Sequence, residues 1–165
     1  MLAVAIGLPS LLVITVVITA VVLRNQEPGP LGLTPVPAPE ARFADCARLL
    51  SALPEEVDAR DAGELDRRAI AAPAPPGTAA WGQPAVVLRC GLGRPAELTA
   101  TSRLLDVSGV QFLELPGPAS SSWLVVDRSV YVAVTLPDSV GSGPLQQVAG
   151  TVRETLPRQD VEVGN

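Results

Sequence analysis

The chain has 165 residues, a formal charge of −5 and no histidine. That length carries one domain with a real core plus a short appendage, and the acidic balance argues against a nucleic-acid partner, which needs a basic footprint. Without histidine the commonest general base and metal ligand are both missing, so no Ser-His-Asp or Cys-His arrangement can form, and no cofactor or metal is expected.

Leu2 to Leu23 is an uncharged run of 22 residues. As a helix it is about 33 Å long, enough for a hydrocarbon core of roughly 30 Å. Residues 1–24 are therefore expected to form a transmembrane anchor. A cleaved signal peptide is the rival reading, but the run is long for one and lacks a basic start and a small-x-small cleavage site. No cysteine follows closely enough to take a lipid. By the positive-inside rule Arg24 alone would leave the domain in the cytoplasm; the cysteines argue for the other side and are given more weight. Residues 25–41, rich in proline from Pro28 to Pro39, are expected to be a semi-rigid spacer holding the domain a few tens of ångströms off the membrane.

Phe43, Cys46, Leu49, Leu50 and Leu53 recur at helical spacing, which predicts a short amphipathic helix with Cys46 on its buried face and Pro54 at its end. The mixed charges from Glu55 to Arg68 lack the alternation and loop glycine of a calcium loop and are expected to be a solvated helix face. Ala71 to Ala80 is expected to be a loop. Pro84 then opens a strand in which Val86, Leu88 and Cys90 share one face. A helix packed on that face brings Cys46 and Cys90 to one interface, so a disulfide is expected, with two buried free thiols as the alternative.

Val107 to Leu115 is a candidate strand, and Trp123–Val126 with Val130–Leu136 predict a β-hairpin around Asp127-Arg128-Ser129. Arg89, Asp127 and Arg128 are the candidates for a structural ion pair. Trp81, Trp123 and Tyr131 are expected in the core, with a ligand-stacking platform as the alternative. Pro144 suits the first position of a helix, and Leu145, Val148, Ala149, Val152 and Leu156 continue it at helical spacing. Neither Gly91-Leu92-Gly93 nor Gly141-Ser142-Gly143 satisfies a phosphate-loop or nucleophile-elbow pattern.

Cys46 with Leu53-Pro54, then Ala80-Trp81-Gly82-Gln83-Pro84-Ala85, Leu88-Arg89-Cys90-Gly91, Gly109-Val110, Asp127-Arg128 and Val130-Tyr131-Val132 resemble the actinobacterial family called domain of unknown function 3515. The resemblance covers about residues 43 to 157. It implies a small extracytoplasmic protein, anchored by a membrane helix or a lipid and carrying a paired cysteine; it implies no reaction and no catalytic residues.

The expected protein is an α+β domain over residues 42–157. About four mostly antiparallel strands carry two helices on one face, with the transmembrane helix before them and a flexible tail, 158–165, after them. Its expected task is non-catalytic: contact with another envelope protein or a cell-wall component on the extracytoplasmic side of the cell membrane. The alternative is an envelope hydrolase or transferase working through carboxylates and arginines.

Overall fold

The strand expected to open at Pro84 begins at Val86, because residues 82–85 form a turn, and it runs through Gly91 to Leu92. Val86, Leu88 and Cys90 are fully buried while Val87 and Arg89 are half-buried on the other face. A computed structural model describes residues 13–19, 28–60 and 63–163. Residues 13–19 are helical (α1). There follow α2 (Ala44–Ala52), β1 (Glu56–Asp58), β2 (Glu64–Asp66), β3 (Thr78–Trp81), β4 (Val86–Leu92), β5 (Leu104–Val107), β6 (Val110–Pro116), β7 (Ser120–Val125), β8 (Tyr131–Pro137) and α3 (Gly143–Thr155). The fold class is α+β. The main sheet has six strands in the order β3-β4-β8-β7-β6-β5, every neighbouring pair antiparallel, and β1 with β2 forms a separate ribbon.

The sheet is larger than the four strands expected, for local reasons. The candidate strand Val107–Leu115 is two strands, β5 and β6. They are joined at Ser108 and Gly109, whose φ values of 54° and 81° give the paired left-handed turn that suits a tight hairpin. Thr78–Trp81, expected to be loop, is strand because it pairs along β4 with Trp81 opposite Val86. The charge run is not a helix. Glu-Val-Asp and Glu-Leu-Asp alternate with period two, so Val57 and Leu65 turn into the core while their acidic neighbours stay in solvent. The predicted hairpin after Trp123 is present as β7 and β8, with Val125 opposite Val132 and Trp123 opposite Val134.

α2 and α3 lie on one face of the sheet. Cys46, Leu49, Leu145, Val148, Ala149 and Val152 pack there against Val86, Leu88, Phe112, Val132 and Val134 in one cluster. The opposite face carries a smaller cluster, in which Leu98 of the β4–β5 connection covers Leu113, Leu124 and Ala133. The chain's two cysteines join: Cys46 and Cys90 form a disulfide with Cα atoms 5.6 Å apart, both side chains fully buried.

The ends of the domain are more tightly held than expected. Residues 28–41, expected to be a spacer, run along the domain. Leu31 bridges Ile70, Arg68 Nε donates to the Gly29 carbonyl at 3.0 Å, and the Glu40 amide donates to the Gly91 carbonyl at 3.0 Å. Gly91 makes that crossing feasible. It sits at a register shift in β4 with φ 81°, and any Cβ there would collide with the Glu40–Ala41 backbone. In the tail expected to be free, the Gln159 amide donates to the Asp127 carbonyl at 3.0 Å, and Val161 packs on the smaller cluster. The membrane helix expected over Leu2–Leu23 lies largely outside the described residues. Its part at 13–19 is helical with Val13, Ile14, Val16, Val17 and Ile18 exposed, and among the described residues no helix is long and apolar enough to cross a membrane.

The disulfide closes a loop with a sequence separation of 44. In the chain-entropy model such a closure is worth about 4 kcal/mol. The double substitution Cys46→Ser, Cys90→Ser also buries two hydroxyls at an apolar interface. Denaturant unfolding of the double variant is expected to show a loss of about 4 kcal/mol or more, or no folded protein. A midpoint equal to that of the native chain would show that the cross-link contributes nothing.

Candidate functional site

At the end of the sheet where β7 begins and β8 finishes, the chain leaves an open cleft of about 160 Å³. Ser121 and Trp123 supply one wall from β7; Leu136 and Pro137 end β8; Asp138, Val140 and Ser142 form the turn into α3; Leu145 closes the floor. The turn is held by the Val140 amide donating to the Pro137 carbonyl at 2.9 Å and the Asp138 amide donating to the Ala119 carbonyl at 3.2 Å. Gly143 brings α3 close to the β1–β2 ribbon, since a Cβ there would overlap the Asp58 carbonyl. Gln147 Oε1 then accepts the Asp58 amide at 2.9 Å.

The two tryptophans differ in what their indoles do. Trp81 is fully buried, its Nε1–H donates to the Pro54 carbonyl at 2.9 Å, and the Arg67 guanidinium lies over its ring at 4.9 Å from the centroid. Burial lowers the Arg67 pKa, opposed by the charge of Glu55. These contacts bind the β1–β2 ribbon to β3, and the group is structural. Trp123 is half-buried, packs against the main core and lines the cleft. Its indole N–H, the Ser121 hydroxyl and the Asp138 carboxylate make no hydrogen bond or ion pair with any described residue. Tyr131 belongs to the cluster on the other face of the sheet, so the three aromatics share no platform.

The candidate ion pair divides. Asp127 and Arg128 are buried and paired at 2.6 Å, and Arg158 reaches the same carboxylate oxygen at 4.0 Å. Asp127 Oδ1 accepts the Gln111 amide, while Arg128 donates to the carbonyls of Gly109 and Asp127. The pair thus ties the β7–β8 connection to the β5–β6 turn and to the tail. Arg89 is elsewhere: its Nη2 donates to the Thr34 carbonyl at 3.0 Å, fastening residues 28–41, and burial lowers its pKa. Among the described residues no three His, Cys, Asp or Glu side chains gather as metal ligands. The carboxylates Glu55, Glu56, Asp58, Glu64 and Asp66 all face solvent. A second groove, more open and with a volume of about 280 Å³, runs between α2 and α3 and is lined by Ala52, Pro54, Gln147, Gly150, Thr151 and Glu154.

Sequence reasoning singled out Trp123, set Ser142 aside with the Gly141-Ser142-Gly143 pattern, and missed Ser121 and Asp138. Their partnership depends on β7 lying beside β8, and no local motif marks it.

This architecture defines a small disulfide-stapled α+β domain whose sheet end carries a mixed apolar and polar cleft. The family model described as "Protein of unknown function (DUF3515)" matches residues 6–161, and the chain belongs to that family. No curated protein and no solved structure matches it.

Tyr131 offers a spectroscopic check on the second sheet face, because it is the only tyrosine in the chain. Burial raises its phenol pKa, Glu162 and Glu40 add to the shift, and Arg94 opposes it. A folded value above the unfolded one, about 10, makes the neutral phenol stabilising below that pH. The contribution is lost as pH rises through the folded value. Phenolate absorbance is therefore expected to titrate above the free-tyrosine range, and Glu162→Gln to bring it back part of the way. An ordinary titration would mean that Tyr131 is not buried on this face, and an unchanged titration in Glu162→Gln that the tail does not lie beside it.

Proposed function

We propose that this chain is a membrane-anchored module on the extracytoplasmic side of the cell envelope, binding another envelope protein or a cell-wall component without catalysing a reaction. The observation that carries the binding role is the cleft, lined by Trp123, Ser121 and Asp138, whose side-chain polar atoms bond to no described residue, in a chain with no histidine to act as a base. The buried Cys46–Cys90 disulfide supports an oxidising compartment. The uncharged run Leu2–Leu23 supports the anchor. With the segment from Gly29 onward fastened to the domain, only residues 24–28 separate the end of that run from it. Fully extended, they reach about 17 Å. The domain therefore rides close to the bilayer rather than at the end of a long stalk.

Two measurements test the reading. Alkaline phosphatase fused after Asn165 is expected to be active in cells that express it, and an inactive fusion alongside an active cytoplasmic reporter reverses the topology. Alanine is also placed singly at the exposed carboxylates of β1 and β2 and at Asp106, Glu114 and Asp138. A binding module should lose cellular function only together with partner crosslinking. If one variant loses function while crosslinking and melting stay native, that carboxylate is a catalytic acid or base and the alternative of a hydrolase or transferase stands.

A further inference from the structure

Three of the residues that line the cleft carry polar side-chain groups with no partner among the described residues. The Trp123 indole is a donor only, the Asp138 carboxylate an acceptor only, and the Ser121 hydroxyl serves as either. Between them lies an apolar floor of Leu136, Val140 and Leu145. Any ligand can be judged by how many of these it satisfies. An anion would meet Asp138 and find no basic side chain in the lining. A cation would suit the carboxylate and the aromatic face, yet it has nothing to offer the indole N–H. A neutral ring with several hydroxyls accepts from the indole, donates to the carboxylate, exchanges with the serine and lays its C–H face on the apolar floor. Size gives the same answer. A volume of about 160 Å³ is below the roughly 300–1,000 Å³ of drug-sized sites, so it holds one ring and not a chain of them.

We propose that the cleft formed by Trp123, Ser121 and Asp138 is a binding site for one neutral, hydroxyl-rich ring, of the kind that a single sugar residue of a glycan presents. This rests on the binding-module reading and names its ligand. The carboxylate supplies a charge-assisted hydrogen bond to the ring hydroxyls. Trp123, half-buried beside the core, offers its indole N–H to one ring oxygen. A ring lacking the hydroxyl that faces Asp138 is bound more weakly, because the carboxylate then gives up water without gaining a partner.

The test uses the full-length chain in a sugar-free polyoxyethylene detergent. Saturation-transfer NMR is recorded with methyl β-glucoside and N,N′-diacetylchitobiose as neutral probes and tetramethylammonium as the cationic one. Ring protons of at least one sugar are expected to receive saturation in the millimolar range. Asp138→Asn, an exposed change that leaves the core alone, is expected to weaken that binding about tenfold, the loss of one charge-assisted hydrogen bond. Trp123→Leu is expected to abolish it. Near-ultraviolet dichroism of both variants is recorded alongside, so that a loss caused by unfolding is recognised and Asp138→Asn then decides. The inference is overturned if neither sugar receives saturation, if Asp138→Asn binds as the native chain does, or if tetramethylammonium alone occupies the cleft. Should the sugars fail while Trp123→Leu still removes the partner crosslink in cells, the module reading survives with a protein ligand and only the sugar assignment falls.

Discussion

The structure depends on one contact, the packing of α2 and α3 against the face of the sheet that carries Val86, Leu88 and Cys90. Every other element is placed relative to it. α3 contributes Leu145, Val148, Ala149 and Val152, and α2 contributes Leu49 and Cys46, all buried against β4, β6 and β8. The disulfide from Cys46 to Cys90 makes the contact covalent and links the start of the domain to β4. α2 has only nine residues and no side-chain cap at its start. A helix so short is marginal alone, so tertiary burial and the cross-link must hold it.

Polar groups that are buried serve the same end. Asp127 and Arg128 sit in the connection between β7 and β8, pair with each other and satisfy backbone groups of the β5–β6 turn and the tail. A buried ion pair is costly to desolvate and contributes little net stability. Its value here is geometric, since it fixes where three separate segments meet. Arg67, Arg68 and Arg89 act similarly at the other side of the domain, each donating to a backbone carbonyl of a segment without regular structure. The absence of lysine suits this use, because the planar guanidinium reaches backbone carbonyls in a fixed geometry.

The cleft residues play no such internal part. Trp81, Asp127, Arg128, Arg67 and Arg89 are all committed to internal partners, whereas Trp123, Ser121 and Asp138 are not. Polar groups whose partners lie inside the protein explain the fold; those without internal partners are where a ligand gains most. The cleft also lies at the start of α3, away from residues 28–41, which cover a different part of the surface.

By itself the sequence determined the elements whose signal is local. The apolar spacing of Leu145, Val148, Ala149 and Val152 specifies α3, and Cys46 with Leu49 and Leu53 specifies α2. The alternation from Val86 to Cys90 specifies β4, and from those two faces the pairing of Cys46 with Cys90 follows. The β7–β8 hairpin was equally legible, because two β-rich runs flank a short polar connection. What the sequence left undecided depends on partners distant along the chain. Thr78–Trp81 is strand only because β4 lies beside it. Glu55–Arg68 carries so little apolar surface that its charges suggested an exposed helix, and burial of Val57 and Leu65 decided for a ribbon. The proline-rich segment reads as a free spacer until Gly91 lets it cross β4 and Arg68 and Arg89 hold its carbonyls. The cleft was invisible for the same reason. Ser121 and Trp123 meet Asp138 only once β7 is registered against β8, and that register is set by long-range packing, not by any motif in the chain.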